Sequence, residues 1–148
     1  LINYGIDVSE VSRKVFETNS YEKIKLMGAA IDTLELLENG KIALHTITNK
    51  VMESLGAKEE ECDGLVNIGR SIEGVEVAIL LRELENGEIR VNLRSNTYVD
   101  VSEIASFFSG GGHIRAAGCT MEGDIESAKR KLIDKIMQKW YSVLSVWS

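Results

Sequence analysis

Long apolar runs, cysteine, histidine and surplus positive charge are all scarce or missing in this chain of 148 residues. No stretch stays apolar for the length a bilayer needs, and no charged-then-apolar leader with a small-residue cleavage site opens the sequence. A cytoplasmic protein with no membrane partner is the expectation. The two cysteines, Cys62 and Cys119, lie far apart without metal-ligand spacing, so reduced thiols are expected rather than a disulfide. The two histidines, His45 and His113, supply no close ligand pair either, which argues against a zinc site. A net charge of −6 argues against the broad basic surface that tracks the phosphates of a long duplex. It leaves room for a small pocket, because bidentate guanidinium contacts to one or two phosphates are local.

The chain has 44% hydrophobic residues, enough to bury one core. Its pattern predicts helices first and a mixed α/β unit after them. Asp7 to Thr18 reads as a short helix with Val8, Val11, Val15 and Phe16 on one face. Ser20 to Glu38 reads as a longer one, with Ile24, Met27, Ile31, Leu34 and Leu37 at helical spacing, a cap at Asn19 or Ser20, and Asn39-Gly40 as its stop. Lys41 to Thr48 is β-branched and apolar and reads as a strand; His45 in its middle receives no role. Asn49 to Leu55 and Lys58 to Ile68 read as helices, the latter opening on the solvated Glu59-Glu-Glu61 run.

Val75 to Leu84 and Ile89 to Ser95 read as the two strands of a hairpin, joined by Asn86-Gly87 in a two-residue turn. That register sets Glu83 opposite Arg90 and Ile79 opposite Arg94. Alternation puts Arg90, Asn92, Arg94 and Asn96 on one face, with Val91 and Leu93 on the other. For Arg90 and Asn92 a solvated strand face accounts for the pattern. Asp100 with Glu103 resembles a capping box ahead of a helix from Val101 to Phe108, whose phenylalanines fit a core better than a base-stacking platform. Cys119 to Glu122 reads as a strand. Asp124 caps a long final helix with Ile125, Ala128, Leu132, Ile133, Ile136, Met137 and Trp140 as its buried stripe. Residues 141–148 fit a helix extension, a core-packed segment or a tail.

Between these last elements runs Ser109-Gly-Gly-Gly-His-Ile-Arg-Ala-Ala-Gly118. Three glycines without side chains suit a concave nest of N–H groups for an anion, and His113 at its lip carries two ring nitrogens able to meet phosphate oxygens. The order Leu93-Arg-Ser95, then Asp100-Val-Ser-Glu-Ile-Ala-Ser-Phe-Phe108, then Gly110-Gly-Gly-His113 ahead of Ala116-Ala-Gly118 resembles the C-terminal DHH-associated domain of the Asp-His-His phosphoesterase superfamily. Within it the sequence is most similar to the nanoRNase and pAp-phosphatase branch. The likeness is dense over 65–121. One departure stands out: the family usually has four glycines before the histidine, and here the first is Ser109, which suits every backbone angle but a left-handed one.

The resemblance implies an α/β fold with a central mixed sheet flanked by helices. It implies residues 1–38 as a helical connector resembling the end of a catalytic domain, alternatively part of this unit's own core, and residues 39–148 as the substrate-binding domain. Substrate binding then falls to Arg70, Arg94, Ser95, Gly110, Gly111, Gly112 and His113, with no catalytic and no metal-binding residue in this chain. Manganese and the Asp-His-His motif belong to a separate N-terminal catalytic domain, so no cofactor is expected here. The implied partners are short single-stranded oligonucleotides or a nucleoside bisphosphate, that catalytic domain, and a second copy of the full-length protein in a homodimer. Two alternatives stand beside this one. The first is a cyclic-dinucleotide phosphodiesterase or exopolyphosphatase-related member of the superfamily; the second is a nucleic-acid-binding module of a non-hydrolase such as a tRNA synthetase.

Overall fold

The structure, a computed structural model, describes residues 18–147; the helix expected over 7–18 falls almost wholly outside them. Six strands form one mixed sheet in the order β1-β2-β3-β4-β6-β5, with helices on both faces. The α/β class expected from the sequence is the class observed.

Helix α1 (Tyr21–Asp32) starts at Ser20, whose hydroxyl accepts from the Lys23 amide at 3.0 Å. It ends six residues earlier than the apolar spacing suggests. Thr33 stops it and accepts from the Thr46 amide at 3.0 Å, tying the chain to the neighbouring strand. The next residues turn back as a short edge strand, β1 (Glu35–Leu37), before Glu38, Asn39 and Gly40 reverse direction at φ 51, 58 and 79. Asn39-Gly40 is therefore a strand turn and not a helix stop. The buried residues of α1 are Leu26 and Ala30, while Ile24 and Ile31 stay 51% and 54% exposed, so the helix sits rotated from the expected stripe.

β2 (Ile42–Ile47) pairs parallel with β3 (Val77–Glu83), which demands a crossover. The crossover consists of α2 (Asn49–Leu55), capped by Thr48 and closed by Gly56 at φ 63, then a 3₁₀ turn over Glu59–Cys62, then α3 (Val66–Arg70). One helix from 58 to 68 was the expectation; Gly64 at φ 83 divides it. β2 and β3 are buried almost throughout, as strands covered on both faces must be.

β4 (Ile89–Ser95) is different: its residues alternate between buried and half-buried. It pairs antiparallel with β3, and the register is one residue away from the expected one. Arg82 faces Arg90, Leu80 faces Asn92 and Ala78 faces Arg94. The cause is a three-residue loop: Leu84 still pairs with Glu88, and Gly87 takes φ 89 at the loop's end. Glu83, freed from Arg90, accepts from the Asn49 amide at 2.9 Å instead.

Helix α4 (Val101–Phe107) begins at Asp100, which caps the Ser102 and Glu103 amides as expected, while Glu103 ion-pairs with Lys139 at 2.9 Å. β5 (Gly111–His113) and β6 (Ala116–Met121) form a closing hairpin, and α5 (Ile125–Trp147) is the final helix. One core lies between the sheet and α4 with α5, built on Ile79, Leu81, Val91, Leu93, Ile104, Leu132 and their neighbours. A second lies under α1 to α3, where Leu26, Ala30, Leu65 and Val66 meet Ile47, Ala78 and Leu80. Each fully buried Leu or Ile contributes about 1.5 to 3 kcal/mol. Cys62 belongs to the second core and Cys119 to the first, so they stand on opposite sides of the sheet; burial raises both thiols above the usual range.

Candidate substrate-binding site

β4 positions the site. Its Val91, Leu93 and Ser95 turn toward the core under α4 and α5, and Arg90, Asn92 and Arg94 turn toward the other face, where the apolar cover over β2 and β3 has run out. Residues directly opposite in an antiparallel pair share a face. Following the register across the sheet, Ala78, Arg94, Ala116 and His113 form one row. Leu80, Asn92, Gly118 and Gly111 form the next, and Arg82, Arg90 and Thr120 the third. Two strand spacings, about 10 Å, separate the backbones of Arg94 and His113. Between them lie Ala116 and, one row on, Gly111, a flat floor; Gly118, beside Gly111, is covered by the head group of Arg90.

Arg70, the last residue of α3, joins Arg94 from the helical side. Burial first, and then the positive charge of Arg70, hold Arg94 below the usual guanidinium range, though a guanidinium stays cationic at any physiological pH. Arg94 donates to the Leu93 carbonyl at 2.9 Å; among the described residues neither arginine has a carboxylate partner. Two half-buried cations that repel one another, without a counter-charge, are stabilised by an anion between them.

The glycine run takes a form the nest expectation did not include. It is an extended edge strand, and the Gly110 amide is spent on the Ala105 carbonyl at 2.7 Å, closing the end of α4. A Cβ at Gly110 would stand 2.2 Å from the Gly118 carbonyl oxygen, and one at Gly112, which has φ 145, would stand 2.6 Å from the Ala116 oxygen. These two glycines let β5 lie against β6. Gly111 has open space around it and belongs to the floor. Ser109 takes φ 65, the left-handed position where a serine is strained.

Ser95 sits elsewhere than on the cationic face. It is 2% exposed, its hydroxyl 2.6 Å from the Val99 carbonyl, and Arg115 donates to it at 3.1 Å. That hydroxyl is occupied by the loop at 96–99 and is not available to a ligand. The same loop is held by two residues that the sequence did not single out. Glu76, buried at the start of β3, accepts from the Tyr98 and Val99 amides at 2.8 Å each and from the Thr97 hydroxyl at 2.6 Å. Burial alone would raise its carboxyl, but these hydrogen bonds outweigh burial and hold it below the usual range. Arg115 donates to the Val99 carbonyl at 2.6 Å and to the Thr97 carbonyl. Asn96 leaves this loop to donate to the Arg70 carbonyl at 3.1 Å, so the clasp ends on one of the two arginines. Arg115 lies within the glycine-histidine motif, a signal that was there to read. Glu76 had none, because every partner of its carboxylate is more than twenty residues away.

His45 shares a face with His113 and has the opposite setting. It is fully buried under α1 and α3, its Nδ1 lies 2.6 Å from the Ala30 carbonyl oxygen, and its Nε2 has no partner among the described residues. Burial pushes its pKa down. Among the described residues no three His, Cys, Asp or Glu side chains gather to hold a metal ion, so the residues present do not fit the manganese that the resemblance implies. No helix among them is long and apolar enough to cross a membrane. A cavity of about 640 Å³ lies apart from the arginines, between α2 and the β3–β4 hairpin. Glu53, Glu59, Glu83 and Glu85 line it against Arg82, which pairs with Glu59 at 3.2 Å. Such a rim repels phosphate.

The sheet, the two uncompensated arginines and the glycine-histidine hairpin define a DHHA1 domain. That family matches residues 39–141, and the chain belongs to it, in the nanoRNase and pAp-phosphatase branch of the DHH superfamily. Its relatives include the bifunctional oligoribonuclease and PAP phosphatase NrnA of Thermus thermophilus, 32% identical over 94% of this chain and 41% of that protein. The probable NrnA of Streptococcus mutans is 28% identical over 80% of this chain and 37% of that protein. An exopolyphosphatase-related protein of Bacteroides fragilis superposes with a TM-score of 0.82 at 30% identity, covering 95% of this chain and 41% of its own. The pGpG-specific phosphodiesterase PggH of Vibrio cholerae shares the fold, with a TM-score of 0.52 at 13% identity over 79% of this chain and 38% of its own. The chain thus spans about two fifths of the length of these relatives.

Proposed function

We propose that this chain is the substrate-binding lobe of a cytoplasmic, manganese-dependent DHH phosphoesterase acting on short oligonucleotides and on 3′-phosphoadenosine 5′-phosphate. The observation that carries the proposal is the convergence of Arg94 and Arg70, without counter-charge, on one open sheet face that His113 borders from the far strand. The names of the NrnA relatives supply the substrate class. Catalysis, the metal and its ligands are assigned to an N-terminal lobe outside this chain, and a homodimer is assigned to the full-length protein.

The metal, when bound in that other lobe, supplies an activated water. The work of this chain is to present the phosphate to it. Arg94 and Arg70 clamp the phosphoryl oxygens, His113 donates from the opposite side, and the floor at Ala116 and Gly111 lets the sugar-phosphate lie close to the backbone. Ser95, Gly110 and Gly112 serve as frame in this assignment: the first anchors the loop at 96–99, and the other two seat β5 on β6.

The test is binding and turnover by this chain alone. Adenosine 3′,5′-bisphosphate should bind weakly by calorimetry, Arg94→Ala should abolish the binding, and added manganese should yield no hydrolysis. Turnover that survives removal of contaminating nucleases would move the chemistry into this chain. Preference for pGpG or tripolyphosphate in competition would favour the alternatives within the superfamily. Tight binding to long single strands with a steep salt slope would favour the nucleic-acid module.

A further inference from the structure

Arg90 is a cation that the phosphate clamp does not use. It lies on the same open face as Arg94, four residues back along β4. Directly opposite on β3 it faces Arg82, which is neutralised by Glu59; among the described residues Arg90 has no carboxylate partner, and it donates to the Thr120 hydroxyl at 3.3 Å. Its guanidinium has a fitted seat. A Cβ at Gly118 would stand 2.8 Å from Nη2 and 3.4 Å from Cζ, so the group is seated over the one residue of β6 that offers no side chain. A surface arginine with nothing to do extends into water. This one is held against the sheet with no carboxylate among the described residues paired to it.

We propose that Arg90 is a second phosphate subsite for a short single strand lying along β4. The assignment rests on the reading of Arg94 and Arg70 as the first. Four strand residues place the backbones of Arg90 and Arg94 about 13 Å apart, and the Arg90 head group leans from there toward Gly118 in the row of Asn92, so the two stations lie within two nucleotide steps of an extended chain. Asn92, half-buried between them on the same face, offers its amide to the intervening sugar or base. Beyond Arg90 the strand runs into the hairpin end, where Glu53, Glu59, Glu83 and Glu85 surround the acidic cavity. A fourth or fifth phosphate therefore meets like charge. The same strand that carries the two cations ends in a barrier, and together they make a length filter.

The experiment compares adenosine 3′,5′-bisphosphate with 5′-phosphorylated di-, tri- and pentaadenylate, titrated into this chain at two salt concentrations. Affinity should rise several-fold from bisphosphate to trinucleotide and then stop rising. Arg90→Gln should remove that rise, leave bisphosphate binding unchanged, and reduce the salt slope for the trinucleotide by about 0.7, the share of one single-strand phosphate contact. Arg90→Lys, which keeps the charge, should restore most of it. A trinucleotide that binds Arg90→Gln as tightly as wild type, while Arg94→Gln weakens every ligand, overturns the second subsite and leaves the clamp standing. Indifference of every ligand to Arg94→Gln, or no bisphosphate binding at all, overturns the clamp and the subsite with it. Affinity that keeps climbing from tri- to pentanucleotide overturns the length filter.

Discussion

One face of one sheet is finished in two ways. Over β2 and β3 it carries Ala43, His45, Ile47, Ala78 and Leu80, all buried under α1, α2 and α3. Over β4, β6 and β5 the same face carries Arg90, Asn92, Arg94, Thr120 and His113, and no helix among the described residues closes over them. The rows are continuous: Leu80 stands next to Asn92 and Ala78 next to Arg94. A single strand spacing separates packing from ligand-binding chemistry, and what decides between them is where the helical cover ends. The two histidines show it best. His45 on the covered half is packed, and burial pushes its pKa down; His113 on the open half is exposed to a ligand.

Row neighbours on the two halves offer the sharpest stability contrast. Leu80→Ala should cost about 2 to 5 kcal/mol in urea denaturation, through lost burial and a cavity. Asn92→Ala, directly across, should stay within about 0.5 kcal/mol. Equal costs would mean that the open half is also packed. The next effect belongs to catalysis in the complete two-domain enzyme. Arg94→Ala or His113→Ala should each remove about 2 to 4 kcal/mol of transition-state stabilisation, read from kcat/KM, with little change in melting temperature. Gly111→Val should lower kcat/KM through the filled floor alone, since nothing in the fold crowds a side chain there.

His45 is buried, and its signature is a pH dependence. Below about pH 6.5 the unfolded chain takes up a proton that the native His45 refuses, so stability falls as pH drops from there toward the lowered native pKa, by up to about 1.4 kcal/mol per pH unit. His45→Asn should flatten that slope between pH 7.5 and 5.5. Glu76 acts in a separate window: its contribution is present above the ordinary carboxylate range and is lost as pH falls through its lowered native value. The smallest expected effect is a gain. Ser109→Gly should add about 1 kcal/mol, seen as a melting point a few degrees higher, by relieving the left-handed serine beside the open half.

Much of this frame is legible in the residues. Helix α2 and strand β4 fall on the expected boundaries, and the alternation of β4 placed Arg90, Asn92 and Arg94 together even though the hairpin register was one residue away. Alternation depends on the strand alone, whereas register depends on loop length, and Asn86-Gly87 serves a two- or a three-residue loop equally well. The early end of α1 was hidden for a related reason: Leu34 and Leu37 keep helical spacing, but the hydroxyl of Thr33 finds a strand that only the folded chain brings near. The Ser95 and glycine-run roles turned on which face and which amides are already in use. Neither is written in local sequence.

The row from Arg94 through Ala116 to His113 also fixes a gauge. Its width is a whole number of strand spacings, about 10 Å, and cannot be altered by degrees without breaking ladder hydrogen bonds. Any adjustment to a wider or narrower phosphoester must come from the reach of the side chains at its ends, with a longer residue at 113 or a shorter one at 94. The backbone behaves as the fixed jaw of a caliper, and selectivity is a matter of which tips are mounted on it.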